Sequence, residues 1–232
     1  MADRIRTLIF SIIFYGLSVP IVLAAPIIAL FGTQRIRRYS MAWAGLGLLL
    51  AHQILGIRVA VAGQRAEGPA LYAVKHQAMY ETLAMAAMLD APAIVMKQEL
   101  ARIPVWGWVA RQYGVIVIDR AGSAKALRAM MKEARAAVAE GRSVVIFPEG
   151  TRTPPGETPP LRSGFAGLYR AIKLPVIPVA CETGKVWPRQ GPKRPGTVTF
   201  LYGDPLPPGL PREEIEAAVH RRINAFEPGF SD

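Results

Sequence analysis

The chain has 232 residues, 51% of them hydrophobic and 19% charged, and carries a formal net charge of +11. The apolar content excludes a disordered polymer, and the length fits one main globular unit with a substantial core. So basic a balance suits nucleic acid, an anionic membrane surface or a phosphorylated substrate, while the single cysteine, Cys181, excludes an internal disulfide and points to a reducing compartment.

The first element decides among those partners. Residues 7–31, TLIFSIIFYGLSVPIVLAAPIIALF, run 25 residues without a charge, long enough to cross a bilayer core of about 30 Å as a helix. The run exceeds the apolar part of a cleaved leader, and a second apolar run at 41–50 follows it, so a retained anchor is expected. A nucleic-acid module has no use for such a segment. Arg4 and Arg6 precede it and Arg35, Arg37 and Arg38 follow, so both flanks favour the cytoplasmic side. Pro20 and Pro26 each remove a helical hydrogen bond, which allows a bent hairpin that enters one leaflet and returns.

Beyond Gly56 short β-rich runs alternate with amphipathic stretches, the pattern of a sheet covered by helices. Strands are predicted at 70–74, 93–97, 115–118, 144–147, 176–180 and 197–202. The clearest helix takes Ser123 as N-cap, sets Leu127, Met130, Met131, Ala134 and Val138 on one face and stops at Gly141. Stretches 153–160 and 187–196 are rich in Pro and Gly and are predicted loops. A last helix over 212–226 has Ile215, Val219, Ile223 and Phe226 at core spacing. The fold class is α/β: a mixed, largely parallel sheet flanked by helices, with an N-terminal membrane-associated helical segment. The expected division is 1–58 for the anchoring segment and 59–232 for the globular domain.

Two constellations carry chemistry. In KHQAMYE (75–81) a histidine follows a strand and a carboxylate lies five residues on. Five residues advance a helix by about 500°, so His76 and Glu81 meet only where His76 precedes the helix proper. There the carboxylate accepts Nδ1–H and leaves Nε2 as a general base for a hydroxyl, with no nucleophilic serine needed. His52 and His220 have no such setting and are expected to be structural or surface groups. The second constellation, FPEGTR (147–152), offers a glycine for close approach, a threonine hydroxyl and an arginine fork suited to phosphate oxygens. Glu149 can orient a polyol hydroxyl or hold a basic group. Arg120, after GVIVI, supplies a further cation at a strand end, where ligands gather in open α/β sheets.

Together these residues resemble the glycerolipid acyltransferase family typified by bacterial 1-acyl-glycerol-3-phosphate acyltransferase. KHQAMYE is similar to its His-x4-Asp block, GVIVIDR to the block ending in arginine, FPEGTR to the third, and LPVIPVA (174–180) to the proline-bearing fourth. KQELARIPVWG (97–107) resembles the stretch after the family's first strand–helix unit. The departure is Glu81, where the family has Asp; one more methylene alters the distance to the imidazole.

The resemblance implies that His76 is the base and Glu81 its orienting acid. Arg120, Glu149, Gly150, Thr151 and Arg152 would engage the glycerol phosphate, Lys97 would add a phosphate contact and Pro178 would shape a pocket. It further implies transfer of a fatty acyl chain to the sn-2 hydroxyl of lysophosphatidic acid from acyl-CoA or acyl carrier protein. The partners expected are lysophospholipid, membrane lipids and acyl carrier protein, not nucleic acid; no cofactor and no metal is expected. The implied location is the cytoplasmic face of the inner (plasma) membrane. Two other readings stay open: an acyltransferase for another lysolipid such as lyso-ornithine lipid, and a non-catalytic membrane protein that binds anionic lipid.

Overall fold

A computed structural model of the chain describes residues 1–119 and 124–230. Ser123 and Arg120 therefore lie outside the described residues. Two long helices come first, α1 (Ala2–Ala29) and α2 (Thr33–Leu50), with a π-helical turn (Ala51–Leu55) ending at Gly56. The strands are β1 (Ile57–Ala62), β2 (Leu71–Val74), β3 (Ala93–Lys97), β4 (Ile116–Ile118), β5 (Val144–Ile146), β6 (Val176–Cys181) and β7 (Gly196–Tyr202). Between and after them lie α3 (Tyr80–Met88), α4 (Gln98–Ala101), α5 (Trp106–Tyr113), α6 (Ala124–Ala139), α7 (Gly164–Ile172), α8 (Thr183–Val186) and α9 (Arg212–Ile223).

The strands form one sheet of order β1-β7-β6-β2-β5-β3-β4, parallel at every junction except β6–β7. The α/β class holds, mixed and largely parallel. Strands of such a sheet are buried on both faces, and period-2 alternation sends successive residues to opposite cores. Thus Tyr72, Val74, Val145, Ile177 and Val179 join one core, together with Phe10 and Phe14 of α1, Ala44 of α2 and Leu83 of α3. Leu71, Ala73, Val144, Ile146 and Val176 join the other, with Met130 of α6, Phe165 and Leu168 of α7, and Ile215, Val219 and Ile223 of α9. The core spacing predicted for α6 and α9 is the spacing observed, although α9 ends at Ile223, short of Phe226.

Three readings of the sequence need correction. IRVAVA was given no strand, yet it forms β1 and pairs with β7 from Ile57 to Ala62. It escaped notice because its apolar residues are interrupted by Arg58, and as an edge strand it leaves Val59 and Val61 exposed. The sheet thus begins at Ile57, and the 58/59 division falls inside β1. Second, the chain does not reverse at a proline. α1 is continuous through Pro20 and Pro26, and the reversal comes at Gly32, where φ is +100°. Flanking contacts brace the helix around Pro20: Trp43 Nε1 donates to Ser18 Oγ at 2.9 Å and Tyr39 OH to the Ile21 carbonyl at 2.9 Å.

Third, the N-terminal segment does not stand apart from the domain. Near its start the Lys193 backbone N–H donates to Thr7 Oγ1 at 2.8 Å, and the Lys193 ammonium sits 4.6 Å from the Trp187 ring centroid. Near its end Ala25 packs with Ile36 and Val109. Twenty-eight residues make a helix of about 42 Å, and it is docked at both ends. Only 17% of its most apolar 18-residue window is buried. Its outer face carries Leu8, Ile12, Val19, Leu23 and Ile27, all at least 60% exposed.

Candidate active site

Parallel strands deliver their carboxyl ends to one edge, so the segments leaving β2 and β5 emerge side by side because those strands are neighbours. Lys75, His76 and Gln77 leave β2, while Phe147 and Glu149 leave β5. His76 stands four residues before α3 and Glu81 is the second residue of that helix. His76 Nδ1 lies 2.7 Å from Glu81 Oε1. The same oxygen accepts the backbone N–H groups of Gln77 and Ala78, both at 2.7 Å, so the carboxylate holds the turn that leads into α3 and the imidazole at once. The longer side chain reaches because the turn bends back toward the helix. Glu81 is fully buried, and its Oε2 has no protein partner among the described residues.

An ionised carboxylate only accepts, so Nδ1 carries the proton and the Nε2 lone pair is left free. Phe147 fixes the ring plane by stacking on it, centroids 4.2 Å apart and planes at 24°. Backbone bonds fix the rest of the residue. His76 N–H donates to Glu149 Oε2 at 2.8 Å, and its carbonyl accepts from the Thr153 N–H at 2.7 Å and the Thr153 hydroxyl at 3.1 Å.

Glu149 faces inward. Its Oε1 takes the Lys75 ammonium at 2.7 Å and the Thr153 hydroxyl at 3.0 Å, and only 1% of the residue is exposed. It therefore holds a basic group, and the expectation that it touches the glycerol phosphate is corrected: both oxygens are occupied by protein donors. Gly150 has φ +74°, a left-handed turn that favours glycine and lets the chain double back after Glu149. Thr151 and Arg152 are exposed on that turn. Lys97 closes β3, two strands from β2, or roughly 10 Å at the usual strand spacing. Pro178 sits within β6, its carbonyl accepting from the Gly203 N–H at 2.9 Å. Its missing N–H falls on that same side, just before the first β6–β7 pair, Val179 with Tyr202.

Sequence reasoning missed the buried polar frame around His76. Lys75 is fully buried and also donates to Asn224 Oδ1 at 2.7 Å and the Glu157 carbonyl at 2.8 Å, with Glu227 at 4.0 Å. Gln77 donates to Glu227 Oε1 at 2.7 Å and accepts from the Gly184 N–H at 2.9 Å. The residues on either side of His76 are thus tied to the segment after α9, about 150 positions away in sequence. One signal was legible: a lysine directly continuing an apolar strand run needs a buried counter-charge. Which carboxylate supplies it was not. Burial pushes the Cys181 thiol well up, and it touches the Lys75 carbonyl at 3.4 Å, so it serves packing. His52 and His220 each face a backbone carbonyl, of Ile57 and Thr158. Among the described residues no group of three or more His, Cys, Asp or Glu side chains could hold a metal ion.

The family model described as Acyltransferase matches residues 57–182. The 1-acyl-sn-glycerol-3-phosphate acyltransferase of Pseudomonas aeruginosa is 34% identical over 164 residues, 69% of this chain and 64% of that protein. The 1-acyl-sn-glycerol-3-phosphate acyltransferase of Cocos nucifera is 27% identical over 66% of this chain and 51% of its own length, so the match spans between half and two thirds of these relatives. The crystal structure of the 1-acyl-sn-glycerophosphate acyltransferase PlsC from Thermotoga maritima superposes with a TM-score of 0.74 at 23% identity, covering 99% of this chain and 100% of that one; it shows a shared fold. The matched region starts at β1 and ends just after β6, enclosing His76, Glu81 and the segment leaving β5, and the chain belongs to the acyltransferase family.

Proposed function

We propose that the chain transfers a fatty acyl group from a thioester, acyl-CoA or acyl carrier protein, to the sn-2 hydroxyl of lysophosphatidic acid, giving phosphatidic acid for phospholipid synthesis. The observation that carries this reading is the 2.7 Å contact between His76 Nδ1 and the buried Glu81, which leaves Nε2 as the base. The acceptor's identity is supported by the similarity to two 1-acyl-sn-glycerol-3-phosphate acyltransferases. His76 Nε2 takes the proton of the acceptor hydroxyl as its oxygen bonds to the thioester carbonyl carbon. The tetrahedral oxyanion collapses, the C–S bond breaks, and the leaving thiolate takes the proton from the imidazolium. Glu81 stabilises that imidazolium and fixes its tautomer. Arg152, exposed beside the His76 turn, offers a fork to the acceptor phosphate. Lys97 and Arg120 remain candidates for the same anion, and Gly150 and Thr151 shape the turn that presents Arg152.

The test is a head-group panel run with purified protein and both donors. Lysophosphatidic acid is expected to be the best acceptor, with product formed from at least one thioester. A phosphate-free lysolipid, such as lyso-ornithine lipid, giving the higher kcat/KM would overturn the choice of acceptor.

The same reading places the enzyme on the cytoplasmic face of the inner membrane, with the outer face of α1 in the lipid. A helix docked on the domain at both ends suits lying in one leaflet. Leu8, Ile12, Leu23 and Ile27 share that face at helical spacing and are exposed, so replacing all four by Gln leaves the core intact. The variant is expected to lose flotation with anionic vesicles while its unfolding temperature stays unchanged. Undiminished flotation would place the lipid contact elsewhere.

A further inference from the structure

A cavity of about 150 Å³ abuts the catalytic turn, between the segment carrying Arg152 and Thr153 and the loop after α8 that carries Arg189. Three prolines give it stiff walls. Its polar side chains divide into two kinds. Gln77 has its carboxamide bonded to Glu227 and the Gly184 N–H, and the Thr153 hydroxyl is bonded to Glu149 and the His76 carbonyl. Among the described residues, Arg152 and Arg189 make no hydrogen bond or ion pair. The only uncommitted polar side chains on this cavity are therefore two guanidiniums, both permanently charged. Two like charges on one small cavity repel until an anion sits between them. The space admits a group the size of phosphate.

We propose that Arg189 pairs with Arg152 to form a clamp for the phosphate group of a substrate, so that two segments distant in sequence close on one anion. The proposal rests on the acyl-transfer reading for the identity of that substrate: the anion is either the phosphomonoester of the acceptor or a phosphate of the thioester carrier. The loop holding Arg189 is anchored from behind by Trp187, whose N–H donates to the Thr183 carbonyl at 2.8 Å and whose ring packs edge-on to Phe10 of α1 at 5.2 Å. Arg189 thus stands on a braced support, which lowers the entropic cost of binding.

The test compares the unaltered protein with Arg189→Ala and with Arg194→Ala, a charge control in the same loop but off the cavity. Binding of inorganic phosphate is followed by 31P NMR titration, and initial rates are measured over a matrix of acceptor and donor concentrations. Loss of a charge-assisted bond is expected to weaken phosphate binding and raise one KM about tenfold or more in Arg189→Ala, with kcat less affected and Arg194→Ala near normal. A rise confined to the acceptor identifies its phosphomonoester as the anion; a rise confined to the donor identifies the carrier's phosphate. Unchanged phosphate binding together with unchanged KM values, or equal effects from both variants, would overturn the clamp. If phosphate binding falls in Arg189→Ala but no lysolipid is acylated by the unaltered protein, the clamp stands and the acyl-transfer reading falls.

Discussion

His76→Ala is expected to lower acyl transfer by roughly 10²- to 10⁴-fold, the range of a positioned general base, with folding and vesicle binding retained. The ring is partly exposed at the site edge and its backbone bonds survive the change, so the loss is chemical rather than structural. Glu81→Gln is expected to cost less in rate but more in stability, because its Oε1 also accepts the backbone N–H groups of Gln77 and Ala78 in the turn before α3. Near-normal turnover by folded His76→Ala protein would remove His76 from the chemistry.

The second large effect is expected at Lys75. A fully buried ammonium with Glu149 at 2.7 Å and Glu227 at 4.0 Å cannot be removed without stranding negative charge in the interior. Breaking such a pair from one side typically costs about 3–5 kcal/mol, a large part of the roughly 5–15 kcal/mol that holds a domain folded. Lys75→Met should therefore lower the denaturation midpoint sharply. The double change Lys75→Met with Glu149→Gln removes both charges and should recover much of that stability, which a double-mutant cycle in chemical denaturation measures. Transfer should not recover with it, because Glu149 and Lys75 together fix the backbone on both sides of the His76 turn and link it to Asn224. A Lys75→Met protein as stable as the original would show that the frame contributes nothing.

Much of this was written locally. Short apolar runs marked six of the seven strands within two residues, since a strand's burial is read directly from its own side chains. β1 escaped because its assignment depends on a partner 139 residues away, Ile57 facing Gly196. The pairing of His76 with Glu81 was legible as a conditional, because five residues suffice only at a strand-to-helix turn. The turn itself exists because Glu81 draws three donors to a single oxygen.

By itself the sequence determined the α/β class, the pairing of His76 with Glu81, the polar turn after β5 and the long apolar N-terminal helix, all of which depend on near neighbours in the chain. Only the tertiary structure decided that Glu149 faces Lys75 instead of a ligand, that the helix lies docked along the domain, and that Arg189 shares a cavity with Arg152. The physical reason is the same in each case. A buried charge must find its partner wherever the fold brings one within about 3 Å, and strand order, which no local pattern encodes, sets which segments leave the sheet side by side.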